Sequence, residues 1–153
     1  MRVAVACDHA GFPLKHDVIA ALRAEGHEPL DLGKDSTAPV DYPDVAELVA
    51  HALIGEKTRR GVIICGSGVG ATVAANTFPG IRAAVCHDTF SARQGVEDDD
   101  INVLCLGARV VGPRLAGELV RTFMRAVFSG AERHARRLRK LEAIESRFRR
   151  EPE

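Results

Sequence analysis

The sequence has no excess of charge of either sign: 21 Lys and Arg residues balance 21 Asp and Glu residues over 153 positions. Such a chain carries no electrostatic footprint for nucleic acid or for an anionic membrane. It also lacks any apolar run near the roughly 20 residues that a membrane-spanning helix needs. The opening MRVAVACDHAGF reaches acidic Asp8 too soon for a secretory leader, so the cytoplasm is the expected location. Internal repeats and linker-like stretches are missing too. One domain over residues 1–153 is therefore expected, long enough to bury a real core.

Cysteine is sparse, and no pair has the CxxC spacing of a zinc or dithiol site. Cys7, Cys65, Cys86 and Cys105 each lie in or at the end of a short apolar run that reads as a buried strand. A small core residue is the ordinary reading of a cysteine so placed, and no disulfide is expected. A metal set from Cys86, His87 and Asp88 is disfavoured, since successive residues of a strand point to opposite faces.

What the sequence does have is alternation. RVAVAC is a continuous apolar run with β-branched residues, the pattern of a strand covered on both faces. Helical periodicity follows over Pro13 to Glu25, with Gly26 as its stop. A strand over Glu28 to Leu32, a loop, and a helix from Asp41-Tyr42-Pro43 to about Leu53 come next. The strand GVIIC breaks at GSGVG into a helix over Val69 to Asn76. Ile81 to Cys86, Asp88 to Glu97, Asn102 to Leu106 and Pro113 to Phe128 continue the strand–helix order. This order predicts a doubly wound, Rossmann-like α/β fold: a five-stranded parallel sheet flanked by helices. The tail from Ala131 to Glu153 reads as an amphipathic helix through Leu138, Leu141, Ile144 and Phe148, docked on the body or on a second subunit. Its arginines are diluted by Glu132, Glu142 and Glu145, which disfavours RNA binding.

Ligands of open α/β sheets sit beyond the carboxyl ends of the strands. Those ends carry Cys7-Asp8-His9, Cys65-Gly66-Ser67-Gly68 and Cys86-His87-Asp88. The glycine-rich loop lacks the Lys-Ser/Thr ending of a P-loop and the GxGxxG spacing of a dinucleotide site. Three readings stand: a phosphate cradle, a structural tight turn, or backbone donors for an oxyanion formed in a reaction. Cys65 directly precedes the loop, where a helix N-terminus lowers a thiol's pKa from about 8.5. A thiolate beside backbone donors suits proton removal next to a carbonyl, and equally acyl transfer or redox chemistry.

The residues at these ends resemble the type B ribose-5-phosphate isomerases and their galactose-6-phosphate isomerase relatives. The resemblance rests on Val5-Ala6-Cys7-Asp8-His9-Ala10-Gly11, Asp41-Tyr42-Pro43, Cys65-Gly66-Ser67-Gly68-Val69-Gly70, and Ala74-Ala75-Asn76. Gly80-Ile81-Arg82, Asn102-Val103-Leu104, Gly107-Ala108-Arg109-Val110-Val111 and Arg133-His134 complete it, so it spans essentially the whole chain. It implies an aldose–ketose isomerase of a phosphorylated sugar, most directly ribose 5-phosphate, working through an enediolate. It implies no metal and no organic cofactor. It also implies a homodimer, often paired into tetramers, with the active site at the interface.

By family role, Cys65 is the base that moves the proton between C1 and C2, and Ser67 assists transfer between oxygens. The amides of Gly66, Gly68, Val69 and Gly70 form the anion hole, while Asp8 and Tyr42 line the sugar site. His9, Arg133, Arg137 and an Arg109 from the partner subunit grip the phosphate. Arg133 and Arg137 are four apart, hence on one helix face, which suits one dianion.

One position departs from the family pattern. The His credited with opening the furanose ring lies four residues before the Asn of Asn-Val-Leu, where this sequence has Asp98, followed by Asp99 on the substrate side. A carboxylate is mostly ionised at neutral pH, a poor proton donor though a workable base. Pentose phosphates close a ring through O4; a four-carbon 4-phosphate cannot, because its O4 is esterified. An isomerase of an open-chain tetrose phosphate needs no ring opener. Alternatively Asp98 opens the ring as a base, His87 substitutes, or the open-chain fraction of ribose 5-phosphate enters. Outside the family, a nucleotide-binding module predicts indifference to loss of Cys65, and a thiol-redox protein predicts a resolving cysteine nearby.

Overall fold

Arg2–Cys7 forms β1, and its partners on both sides run parallel to it. The computed structural model describes residues 1–33 and 35–149. In chain order the elements are β1, α1 (Phe12–Ala24), β2 (Glu28–Asp31), α2 (Tyr42–Ile54), β3 (Arg60–Cys65), α3 (Val69–Ala75), β4 (Ala83–Val85), α4 (Thr89–Asp99), β5 (Val103–Gly107), α5 (Pro113–Arg125) and α6 (Glu132–Phe148). The sheet order is β2-β1-β3-β5-β4, all parallel. From β1 the chain winds outward to β2; from β3 it winds the other way. The reversal falls between β1 and β3, where an open α/β sheet forms its binding crevice.

The unbroken apolar runs are explained by burial on both faces. Val3, Val5, Val62, Ile64, Leu104 and Leu106 face α1, α4 and α5 and pack with Leu22 and Phe123. Ala4, Ala6, Ile63, Val103 and Cys105 face α2 and α3. That second face is rich in alanine, so the short helix α3 lies close to the sheet.

Boundaries up to α5 shift by no more than two residues, and the end of α5 shifts by three. β4 is three residues long, because Arg82 turns to Asp100 and to the carboxamide of Asn102 before the strand begins. α5 stops at Arg125 rather than Phe128. The Arg60 guanidinium donates to the carbonyls of Phe123, Met124 and Ala126 and stacks on the Phe123 ring, closing the helix end. The C-terminal helix forms as expected, and residues 150–153 of the tail lie outside the described residues. Leu138 and Leu141 line a groove with Ile81 and Ile101, while Ile144 and Phe148 remain exposed.

Candidate active site

Cys65 ends β3 at the reversal point, paired in register with Gly107 of β5. The chain turns at once, and Gly68 takes the left-handed conformation with φ of +81°. A side chain there is strained by the backbone alone, and a Cβ would also lie 2.8 Å from Val85 Cγ2. The turn folds the Gly68 N–H back onto Cys65, donating to Sγ at 3.1 Å. The thiol is 4 % exposed, so that amide is a fixed dipole against a largely dry sulfur. Ser67 is exposed, its Oγ accepting from the Val69 amide at 3.2 Å.

The other expected groups of this edge surround the loop. Asp8 is buried beside β3, its amide donating to Ile64 O and its Oδ1 accepting from the Gly11 amide at 2.9 Å. His9 is exposed, and its Nδ1 accepts from the Val40 amide at 3.3 Å. The Tyr42 ring lies over Gly70, where a Cβ would be 3.2 Å from ring carbons. Arg109 lies over Gly66 of the same chain, its Nη1 3.3 Å from where a Cβ would stand. The guanidinium of the same chain thus lies against the loop.

His87, beyond the end of β4, also reaches this edge. Its Nε2 accepts from the Gly107 amide at 2.9 Å, and burial holds the imidazole below its ordinary pKa. Its one signal in the residues was weak, a strand-end His within Cys86-His87-Asp88. Burial pushes Cys7 and Cys86 up to about 11 and Cys105 up to about 12, the behaviour of core residues.

Asp98, Asp99, Arg133 and Arg137 are not brought to Cys65 within the chain. α4 runs antiparallel to the strands, so its last residues lie at the amino edge of the sheet. Asp98 is held there from two sides: Gln94 Nε2 donates to Oδ2 at 2.7 Å, and His134 Nε2 lies 3.4 Å from Oδ1. His134 is buried, with Ser129 Oγ 2.7 Å from Nδ1. Asp99 lines the groove under α6. Arg133 and Arg137 are exposed and make no ion pair among the described residues. Sequence spacing places both on one helix, as expected, but says nothing of which sheet edge that helix lies along. Among the described residues no cluster fit to hold a metal ion occurs, and no helix is long and apolar enough to cross a membrane.

A thiol, a carboxylate and backbone donors gather at the switch point of a parallel sheet, the place and the groups of an α/β enzyme that could move a proton, transfer an acyl group or carry out thiol chemistry. Comparison with known proteins narrows this class. The family model described as Ribose/Galactose Isomerase matches residues 3–141, and the chain belongs to that family. It is 44 % identical over 146 residues to ribose-5-phosphate isomerase B of Escherichia coli, covering 95 % of this chain and 97 % of that protein. Against the D-erythrulose-4-phosphate isomerase of Pectobacterium atrosepticum the identity is 40 % over 132 residues, covering 85 % and 86 %. The solved structure of Clostridium thermocellum ribose-5-phosphate isomerase B superimposes with a TM-score of 0.93 at 42 % identity, covering 97 % of this chain and all of that one. The chain is a sugar-phosphate isomerase.

Proposed function

We propose that the chain interconverts ribose 5-phosphate and ribulose 5-phosphate, as a single cytoplasmic domain, with Cys65 as the base. The observation that carries this reading is the Gly68 N–H donating to Cys65 Sγ at the switch point. The sulfur takes the proton from C2 of the open-chain aldose and returns it to C1. The resulting enediolate oxygen meets the amides of Gly66, Gly68, Val69 and Gly70; without substrate the Gly68 and Val69 amides donate to Cys65 Sγ and Ser67 Oγ, and they turn to the oxyanion as it forms. Ser67 relays the proton between the two oxygens, Asp8 and Tyr42 hold the sugar, and His9 with Arg109 of the partner subunit grips its phosphate.

Two copies complete the site in this reading. Asp99, Arg133 and Arg137 stand at the opposite sheet edge from Cys65, so their family roles are met by the partner chain of a homodimer. The guanidiniums of Arg133 and Arg137 support this, since they are exposed and have no counter-ion among the described residues.

A second substrate is favoured by one observation. Both Asp98 oxygens are engaged, by Gln94 and His134, at the place where relatives carry the ring-opening His. A tetrulose 4-phosphate, which has no ring to open, fits that arrangement. Initial rates on ribose 5-phosphate and on tetrulose 4-phosphates decide between the two. Faster turnover of ribose 5-phosphate supports the first reading, and turnover confined to four-carbon substrates replaces it with the second.

A further inference from the structure

The contacts behind Cys65 form a short chain that begins at His87. Its Nε2 accepts from the Gly107 amide at 2.9 Å, in place of the backbone carbonyl that would extend the ladder between β4 and β5. The Leu106–Gly107 peptide so held is the floor of the catalytic turn. A Cβ on Gly68 would lie 3.1 Å from Leu106 C and 3.2 Å from Gly107 N, and a Cβ on Gly107 would lie 2.6 Å from the Ser67 carbonyl. Gly68 in turn donates to Cys65 Sγ. Each link is a direct contact with no slack for a methyl group.

We infer that His87 is a positioning residue for the isomerase reaction: its neutral imidazole fixes the Gly107 amide and, through it, the Gly68 amide on Cys65. The inference rests on the isomerase reading only for its kinetic test. The Gly107 bond requires Nε2 to be an acceptor, so the ring proton is on Nδ1. Protonating Nε2 sets one donor against another, and the floor must move. The charged group that acts on the ring is Asp88, the N-cap of α4, and the titratable Cys86 precedes it in the chain. Asp88 favours the imidazolium, but burial outweighs it and keeps the ring neutral near pH 7.

Two substitutions separate positioning from direct participation. His87→Gln keeps an acceptor and cannot titrate; His87→Leu has no acceptor. The measurements are kcat and KM between pH 5 and 8, and the rate of alkylation of Cys65 by iodoacetamide, read by mass spectrometry of its peptide. His87→Gln is expected to stay within about threefold of the parent kcat at pH 8, and to lose the parent's fall in activity at the acid end of the range. His87→Leu is expected to lower kcat about tenfold with KM nearly unchanged, and to change the alkylation rate of Cys65. Equal losses in both variants would mean that the imidazole itself takes part in the chemistry, and would overturn the inference. So would parent-like rates and an unchanged acid limb in both. If His87→Leu does not fold, the acid limb of His87→Gln decides alone. Alkylation needs no substrate: a parent without isomerase activity defeats the functional reading, while the His87 dependence of alkylation still tests the positioning role.

Discussion

Asp98 and His134 meet across the junction of α4 and α6, Oδ1 to Nε2, at 3.4 Å. Gln94 holds the other carboxylate oxygen and Ser129 the other ring nitrogen, so four side chains close one polar network. His134 is the only residue of α6 that is buried among the described residues, and Glu145 accepts from the Gly80 amide further along the helix. Asp98 is thus an anchor for the helix that carries Arg133 and Arg137.

Loosening that anchor should weaken substrate binding more than chemistry. His134→Ala removes a buried hydrogen-bonded side chain, and a loss of about 1–3 kcal/mol in urea unfolding is expected. KM for the phosphorylated sugar should rise about tenfold with kcat changed much less. A fall in kcat alone would place His134 in the chemistry instead.

Gly107→Ala tests the close approach beneath the loop. Its methyl would meet the Ser67 carbonyl at 2.6 Å, a backbone atom that cannot swing aside. Either β5 or the catalytic turn must move. The expected result is a kcat lowered by at least about tenfold, with the loss of stability being typical of overpacking, about 1–3 kcal/mol. Parent-like kcat would show that the turn does not depend on this contact.

His87 also gives stability a pH dependence of defined sign. Its folded-state pKa is lowered from 6.5 by burial, so the unfolded chain takes up this proton first as pH falls. The contribution is fully present above the unfolded value near 6.5 and is lost as pH falls from there through the lower folded value. His27, also lowered by burial, acts in the same direction. Urea midpoints at pH 8 and pH 5 should therefore differ less in His87→Gln than in the parent. An identical difference would contradict the assignment.

Arg60→Met tests the end of α5. The guanidinium serves three carbonyls from one partly buried position, and methionine fills similar space without donors. A loss of about 2 kcal/mol in urea unfolding is expected, with kcat retained. Unchanged stability would show that water replaces these bonds at no cost.

Much of this was legible in the residues, for physical reasons. Strands buried on both faces leave continuous apolar runs, so β1, β3 and β5 announced themselves. Cys65-Gly66-Ser67-Gly68 was readable because a turn that folds its amide onto a sulfur needs glycine at a positive φ. The end of α5 was not readable: its periodicity continues through Val127, and the stop comes from Arg60, more than sixty positions away. The placement of Asp98 and Arg133 was equally hidden. Spacing fixes which residues share a helix face, but tertiary packing decides along which sheet edge that face lies. Gly107 drew notice only as part of a family motif, since its role depends on a contact with Ser67 forty positions earlier.

The central claim is that Cys65 is the base. The most direct test is the turnover of ribose 5-phosphate and of tetrulose 4-phosphates by Cys65→Ala, beside calorimetric binding of the same sugars. The account predicts a kcat lowered by at least about a thousandfold on whichever sugar the parent turns over, with Kd within about threefold of the parent. Turnover within tenfold of the parent would contradict it and place the base elsewhere.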